Sequence, residues 1–436
     1  MKRFITEKLI KWKNDKSRKP LILKGARQVG KTYVLKEFGV NYYESIAYFN
    51  FDHDDTLATL FEHTKDPIRI IEQLSLVIGK KINPITTLII FDEIQECPNA
   101  LNSLKYFCEE ANDYHVVAAG SLLGVKLSKV SFPVGKVDFL SMYPMTFSEF
   151  LIADNKENLV SVMKKTKDIK QIPDVFATEL IEKLKTYYII GGMPEAVYSW
   201  VNDKDIEKVN TIQKNILIAY EDDFSKHTDA KEANKMSLIW NGIPSQLARE
   251  NKKFVYQVVK EGARAREYES ALNWLNDANL INKCYLVNKC AFPLKAYQDL
   301  SSFKIYLNDV GLLRRMSNLD SSIILEGNKL FEEFKGSFTE NYVANVLSYL
   351  QDESSYYYTF DRYEIDFVIQ KKNKIIPIEV KSNKSTKHNS LSKYNEINDN
   401  DISILVSQNN LSKNGKIINI PLYFLEYIDN LDINYK

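Results

Sequence analysis

Short apolar runs separated by longer amphipathic stretches set the pattern of the first 150 residues. Residues 21–23, 46–51, 88–91 and 114–119 are nearly all apolar rather than alternating. That predicts strands of a parallel sheet covered on both faces. Between them, residues 67–78 and 100–110 carry apolar positions at helical spacing. Strands separated by helices predict βαβ units and an α/β fold.

The pattern changes further along. Residues 151–228 read as mostly helical, with a break at Gly191-Gly192-Met193-Pro194. Residues 229–300 hold short helical patterns, one at 245–250 and one at 263–279 carrying Tyr268, Leu272, Trp274 and Leu275. Residues 284–287 and 293–297 then read as the two strands of a wing, which predicts a winged helix-turn-helix. Residues 301–436 return to mixed α and β, with strands expected at 361–370 and 374–380 and a loop at 383–389. The expected division is therefore 1–150, 151–228, 229–300 and 301–436, with no internal repeat.

Composition narrows the class. The chain has 436 residues, 44% apolar and 26% charged, which are ordinary globular values. No apolar run approaches the ~18 residues of a membrane span. The N-terminus lacks a secretory apolar region. Four cysteines (Cys97, Cys108, Cys284, Cys290) show no close metal spacing. These features predict a cytoplasmic protein without a membrane partner. With 58 basic and 57 acidic residues the net charge is +1, so only a local basic surface could argue for nucleic acid.

The strongest chemistry lies after the first strand. Gly25-Ala26-Arg27-Gln28-Val29-Gly30-Lys31-Thr32 fits GxxxxGK[ST], between an apolar run and a helical stretch. Its glycines let backbone N–H groups close around phosphate oxygens, and the following helix N-terminus favours the anion. Lys31 is expected to reach the β- and γ-phosphates of ATP, and Thr32 to hold Mg²⁺. Residues 88–91 run into Asp92-Glu93. A carboxylate at a strand's C-terminal end faces the ligand crevice of an open α/β sheet. Asp92 is thus the second expected Mg²⁺ holder, and Glu93 the residue that polarises the attacking water. Ser121, after the run ending Ala118-Ala119-Gly120, is a candidate γ-phosphate sensor or a turn residue.

Together these residues resemble the AAA-like ATPases in which an AAA_14 domain precedes a DUF4143 region. The resemblance also rests on Phe91-Asp92-Glu93-Ile94-Gln95 and Tyr143-Pro144-Met145-Thr146-Phe147-Ser148-Glu149-Phe150. Gly191-Gly192-Met193-Pro194-Glu195-Ala196-Val197 and the segments around Asp366 and Glu379 extend it over nearly the whole chain. It implies a prokaryotic ATPase whose parallel P-loop sheet is followed by a helical lid, a winged helix and a nuclease-like domain. One position departs from the pattern. Lys136 stands where many relatives have arginine, and a lysine lacks the planar fork of an arginine finger. No arginine finger is identified, and oligomer formation stays open.

Two further regions carry candidate chemistry. Arg264, Arg266 and Lys283 are the cations nearest the expected recognition helix, and DNA is their candidate partner. Residues 220–227, with Glu221-Asp222-Asp223 and His227, offer donors for a cation but read better as a helix end with solvated charges. In the last region Asp366 and Glu379-Val380-Lys381 form D-x12-E-x-K, a gap that a hairpin closes. Glu379 and Lys381 share a face by the period of two. This resembles the PD-(D/E)XK nuclease core, with Glu340 completing the acidic set from a helix. Such carboxylates suit a second Mg²⁺ or Mn²⁺, and Lys381 would position its water. By spacing alone an exposed hairpin with one Glu–Lys pair is the better reading, and the surrounding strand pattern and the family resemblance are what favour the nuclease-like fold. Three function classes follow. The chain is an ATP-dependent nucleic-acid-cutting enzyme, a nucleotide switch that binds DNA or a protein without cutting, or an ATPase whose last domain is a partner interface.

Overall fold

The computed structural model describes residues 1–52, 55–121, 133–249, 252–326, 332–351, 354–384, 387–398 and 400–432. The chain forms two compact units, Met1–Tyr143 with Asp277–Asn279, and Pro144–Asn276 with Leu280–Lys436.

The first unit opens with α1 (Ile5–Asn14), β1 (Leu21–Lys24), α2 (Lys31–Tyr42) and β2 (Ser45–Asn50). It continues with α3 (Asp55–His63), α4 (Pro67–Ile78), β3 (Thr87–Asp92), α5 (Pro98–Glu110), β4 (His115–Ala119) and β5 (Asp138–Ser141). All five strands pair in parallel, in the order β2-β3-β4-β1-β5. Every residue of β3 and β4 is buried, as expected of central strands with helices on both faces. Phe49, Phe51, Phe61, Phe91 and Phe107 pack edge-on or tilted in the core against one face. α4 shows why the sequence stops and starts where it does. Asp66 accepts from Ile68 N at 2.9 Å, Pro67 occupies the first turn, and left-handed Gly79 closes the end. β5 escaped the apolar pattern because it is an edge strand carrying Asp138 and Ser141.

The second unit begins with helices α6 (Phe147–Ala153), α7 (Glu157–Lys165), α8 (Asp174–Ile190), α9 (Pro194–Asp203) and α10 (Ile206–His227). Then come α11 (Ala230–Leu247), α12 (Tyr256–Val259), α13 (Ala265–Asp277), β6 (Ile281–Val287) and β7 (Gln298–Leu307). The chain continues through α14 (Val310–Met316), α15 (Ser321–Glu326), α16 (Glu332–Gln351), β8 (Ser355–Phe360), β9 (Tyr363–Lys371) and β10 (Lys374–Val380). α17 (Asn389–Ile397), β11 (Ser403–Ser407), β12 (Ser412–Asn414), β13 (Ile417–Pro421) and a 3₁₀ segment (Leu422–Asn430) complete it. One mixed sheet holds β12-β13-β11-β10-β9-β8-β6-β7.

That sheet changes the expected organisation. Residues 293–297, read as a wing strand, contain a 3₁₀ turn, and the second strand starts at Gln298. The boundary drawn at residue 300 falls inside this strand. The β6–β7 hairpin pairs in parallel with β8, so it belongs to the large sheet rather than to a free wing. Residues 245–247 close α11, while Glu250 lies outside the described residues. α13 does bury Tyr268, Leu272, Trp274 and Leu275 as core.

Two of the sequence motifs interlock here. Thr146 and Glu149 form a capping box at the start of α6. Met145 N donates to Gly192 O at 2.6 Å, and Tyr187 OH donates to Met145 O at 2.6 Å. Asp309, buried ahead of α14, accepts from Gly192 N at 2.6 Å and Leu312 N at 2.9 Å. Burial pushes its carboxyl up to about 6, against the pull of those N–H groups. Arg314 and Gln213 satisfy the last carbonyls of α8 at Ile189 and Ile190. A Cβ at Gly192 would lie 2.1 Å from Met145 O, so this backbone approach requires glycine. Gly192→Ala is therefore expected to destabilise the second unit by roughly 1–3 kcal/mol, seen as a lower thermal midpoint than wild type.

Candidate functional site

β1 and β3 deliver their last residues to the same end of the sheet, with β4 between them. β1 leads into the glycine-rich turn. Gly25 has φ 151°, and a Cβ there would lie 2.2 Å from Met142 O. Gly30, at φ 93°, starts α2 in the left-handed region. Lys31 is almost fully buried, and its amine donates to Gly25 O at 2.9 Å and Ala26 O at 2.8 Å. Burial lowers it to about 8, while Glu93 and Asp92 pull the other way.

β3 ends on Asp92, and the two expected Mg²⁺ holders touch. Thr32 Oγ1 donates to Asp92 Oδ2 at 2.7 Å. The same oxygen accepts from Tyr48 OH at 2.8 Å, and Oδ1 accepts from Glu93 N at 3.1 Å. Tyr48 comes from β2, next to β3, with Lys36 Nζ 3.6 Å from its ring centroid. Glu93 sits at φ 49°, and Gln95 Nε2 donates to its carboxylate. Ser121 is buried just beyond β4. Arg27 and Gly30 are half-buried and Gln28 is exposed, whereas Gly25, Ala26 and Val29 are buried. One hydroxyl and one carboxylate, both hard oxygen donors, suit Mg²⁺, which takes few protein ligands and completes its shell with water and phosphate.

Residues 17–151 match the AAA domain family. The first unit carries an AAA-like P-loop domain. Beyond that domain, residues 181–323 and 335–425 match two domains of unknown function, DUF8612 and DUF4143. No curated protein matches the chain in sequence. Among solved structures, the Walker-type ATPase PABY2304 of Pyrococcus abyssi is similar at 12% identity and TM-score 0.45, over 71% of this chain and 94% of its own. The AMPPCP-bound DnaA of Aquifex aeolicus is similar at 13% identity and TM-score 0.29, over 62% and 84%. RuvB of Thermotoga maritima is similar at 14% and 0.30, over 69% and 90%.

Sequence reasoning missed two residues at the AAA-like site. Tyr48 lies in an apolar run and reads as core until its hydroxyl is seen on Asp92. Arg3 precedes every motif, yet its guanidinium donates to Val29 O at 2.8 Å within the glycine-rich turn. Lys136, the departure from the arginine pattern, pairs with Glu109 at 2.8 Å.

The C-terminal residues are brought near one another, but each acid already has a partner from this chain. Glu340, on α16, pairs with Lys252 and accepts from Tyr306 OH at 3.3 Å. Asp366, on β9, accepts from Val380 N at 2.7 Å. Glu379, on β10, pairs with Lys381 at 2.6 Å and accepts from Leu391 N at 3.2 Å. Lys304, wholly buried on β7, pairs with Glu364 at 2.5 Å. Burial pushes Asp366 up to about 7, with Glu340 adding to it and Lys304 opposing. Burial works against the charge on Glu340 too, but Lys252 and Lys304 outweigh it and hold that carboxyl below its ordinary value. Among the described residues no three His, Cys, Asp or Glu side chains are placed to hold a metal. Glu340, Asp366 and Glu379 therefore do not form such a three-acid group. Arg264 and Arg266 are exposed, whereas Lys283 is bonded to Asn273 at 2.7 Å. Residues 220–227 end α10. Tyr220 and Phe224 pack on Trp240, and the His227 side chain lies outside the described residues.

The buried Lys31 gives the site a pH signature. Any phosphate held by Lys31 would need the charged amine, which burial lowers to about 8 in the free protein. A triphosphate raises its pKa again. Affinity for an ATP analogue is expected to be level below pH 8 and to weaken by up to about tenfold per unit above it. Calorimetric titration across pH 6–10 checks this, together with proton uptake on binding.

Proposed function

We propose that the AAA-like domain binds ATP with Mg²⁺ and hydrolyses it, and that the cycle serves nucleic-acid binding by the second unit. The Thr32–Asp92 hydrogen bond beside the buried Lys31 carries the ATPase reading. Backbone N–H groups of residues 25–32 would receive the phosphates, and Lys31 would leave Gly25 O and Ala26 O for the β- and γ-oxygens. Thr32 and Asp92 would hold Mg²⁺, which supplies charge neutralisation on the phosphates. Glu93 would orient the water that attacks the γ-phosphorus as the bond to the bridging oxygen breaks, releasing ADP and phosphate. Ser121 is the polar residue offered to the γ-phosphate beyond β4.

Two observations support the nucleic-acid part. Asp366 and Glu379 lie on the antiparallel neighbours β9 and β10, the hairpin that the D-x12-E-x-K pattern requires. Arg264 and Arg266 stand exposed at the start of α13. The buried pairing of Glu340 with Lys252 favours a switch that binds without cutting, because a metal at Glu340 would have to displace Lys252.

Glu93→Gln is expected to keep nucleotide binding and lose turnover by roughly 10²-fold or more, while Lys31→Ala loses binding. A folded wild-type protein that neither binds nor hydrolyses ATP would sink the reading. With duplex DNA, ATP-dependent binding that weakens steeply with salt is expected, without cleavage in Mg²⁺ or Mn²⁺. Cleavage abolished by Asp366→Ala and by Glu379→Ala would replace the switch with a nuclease.

A further inference from the structure

Arg3 is 6% exposed, ahead of α1, and bridges two carbonyls. Nη1 donates to Val29 O at 2.8 Å and Nη2 to Tyr143 O at 2.6 Å. Val29 is wholly buried and is the last residue of the glycine-rich turn before Gly30. The other end of that turn meets the same strip of backbone, since Gly25 packs directly against Met142 O. Both ends of the phosphate loop are thus referenced to residues 142–143, one by glycine contact and one through Arg3.

The loop's chemistry explains why such a tie is needed. A backbone cradle turns N–H groups toward phosphate and leaves carbonyls facing away, where each needs a donor. Lys31 now serves Gly25 O and Ala26 O. A phosphate would draw that amine off, leaving the loop without its inner brace at the moment of binding. The Arg3 bond to Val29 O does not involve Lys31 and survives the exchange. An arginine suits the task because its planar fork reaches two fixed carbonyls at once, whereas a lysine presents a single nitrogen.

We infer that Arg3 is a positioning residue for the phosphate loop, holding Val29 and Tyr143 together so that the cradle keeps its shape when Lys31 turns to nucleotide. The inference rests on the nucleotide-binding reading above. Its test is the dissociation constant of AMP-PNP with Mg²⁺, and kcat at saturating ATP, for the wild-type chain, Arg3→Lys and Arg3→Met. Thermal midpoints without nucleotide are measured alongside. Arg3→Met is expected to bind roughly tenfold more weakly, because the cradle then keeps neither brace once Lys31 turns to phosphate and must be ordered on binding. Arg3→Lys is expected to recover part of this, remaining about threefold weaker. In both variants kcat should move less than the dissociation constant. A folded Arg3→Met that binds as tightly as wild type, whatever its thermal midpoint, overturns the inference. Should Arg3→Met not fold, Arg3→Lys decides, and unchanged binding there overturns it. Absence of binding by the folded wild type is a different result, because it removes the nucleotide reading itself.

Discussion

The hydrogen bond from Thr32 to Asp92 joins residues 60 positions apart, and the first unit is arranged to make it. One partner must begin a helix at the end of β1, and the other must end β3. The strand between them, β4, is wholly buried and consists of His115, Val116, Val117, Ala118 and Ala119. Tyr48 and the Glu93 backbone then take up Asp92's remaining acceptor capacity on this side, so the carboxylate has one orientation. A group preorganised this way needs little rearrangement when charge arrives.

The second unit is governed by a different constraint, the burial of charge. Lys304 is wholly enclosed yet holds its proton more tightly than a free lysine, because Glu364, Glu340 and Asp366 surround it. Taking one partner away would leave an uncompensated charge in the interior, which is costly. The same network occupies the carboxylates whose spacing suggests a metal site. The interlock of Met145, Gly192 and Asp309 plays the corresponding part for the helices, and it accounts for two motifs that have no evident chemistry of their own.

Much of the first unit was legible because its signals are local. β1 to β4 are apolar runs, α4 is bounded by Asp66 and Gly79, and the glycine-rich turn is a motif of consecutive residues. β5 was not legible, since an edge strand with polar ends has no apolar run to show. Neither were Tyr48 and Arg3, whose roles depend on partners 44 and 26 positions away. In the second unit, the strand-like runs at 361–370 and 374–380 marked β9 and β10, but they could not reveal that the β6–β7 hairpin joins their sheet through β8.

By itself, the sequence pointed to the glycine-rich turn, Lys31 and Thr32 as candidates for phosphate chemistry, because a backbone cradle, its lysine and its hydroxyl must be contiguous to work. It also determined the alternation of strands and helices, because burial on both faces demands apolar runs. Tertiary structure alone decided what each carboxylate faces. Asp92 meets a hydroxyl pair and an open phosphate turn, whereas Glu340 and Glu379 meet lysines. Identical side chains therefore act differently, since the field at a carboxylate is set by groups brought near in space, which spacing along the chain does not encode.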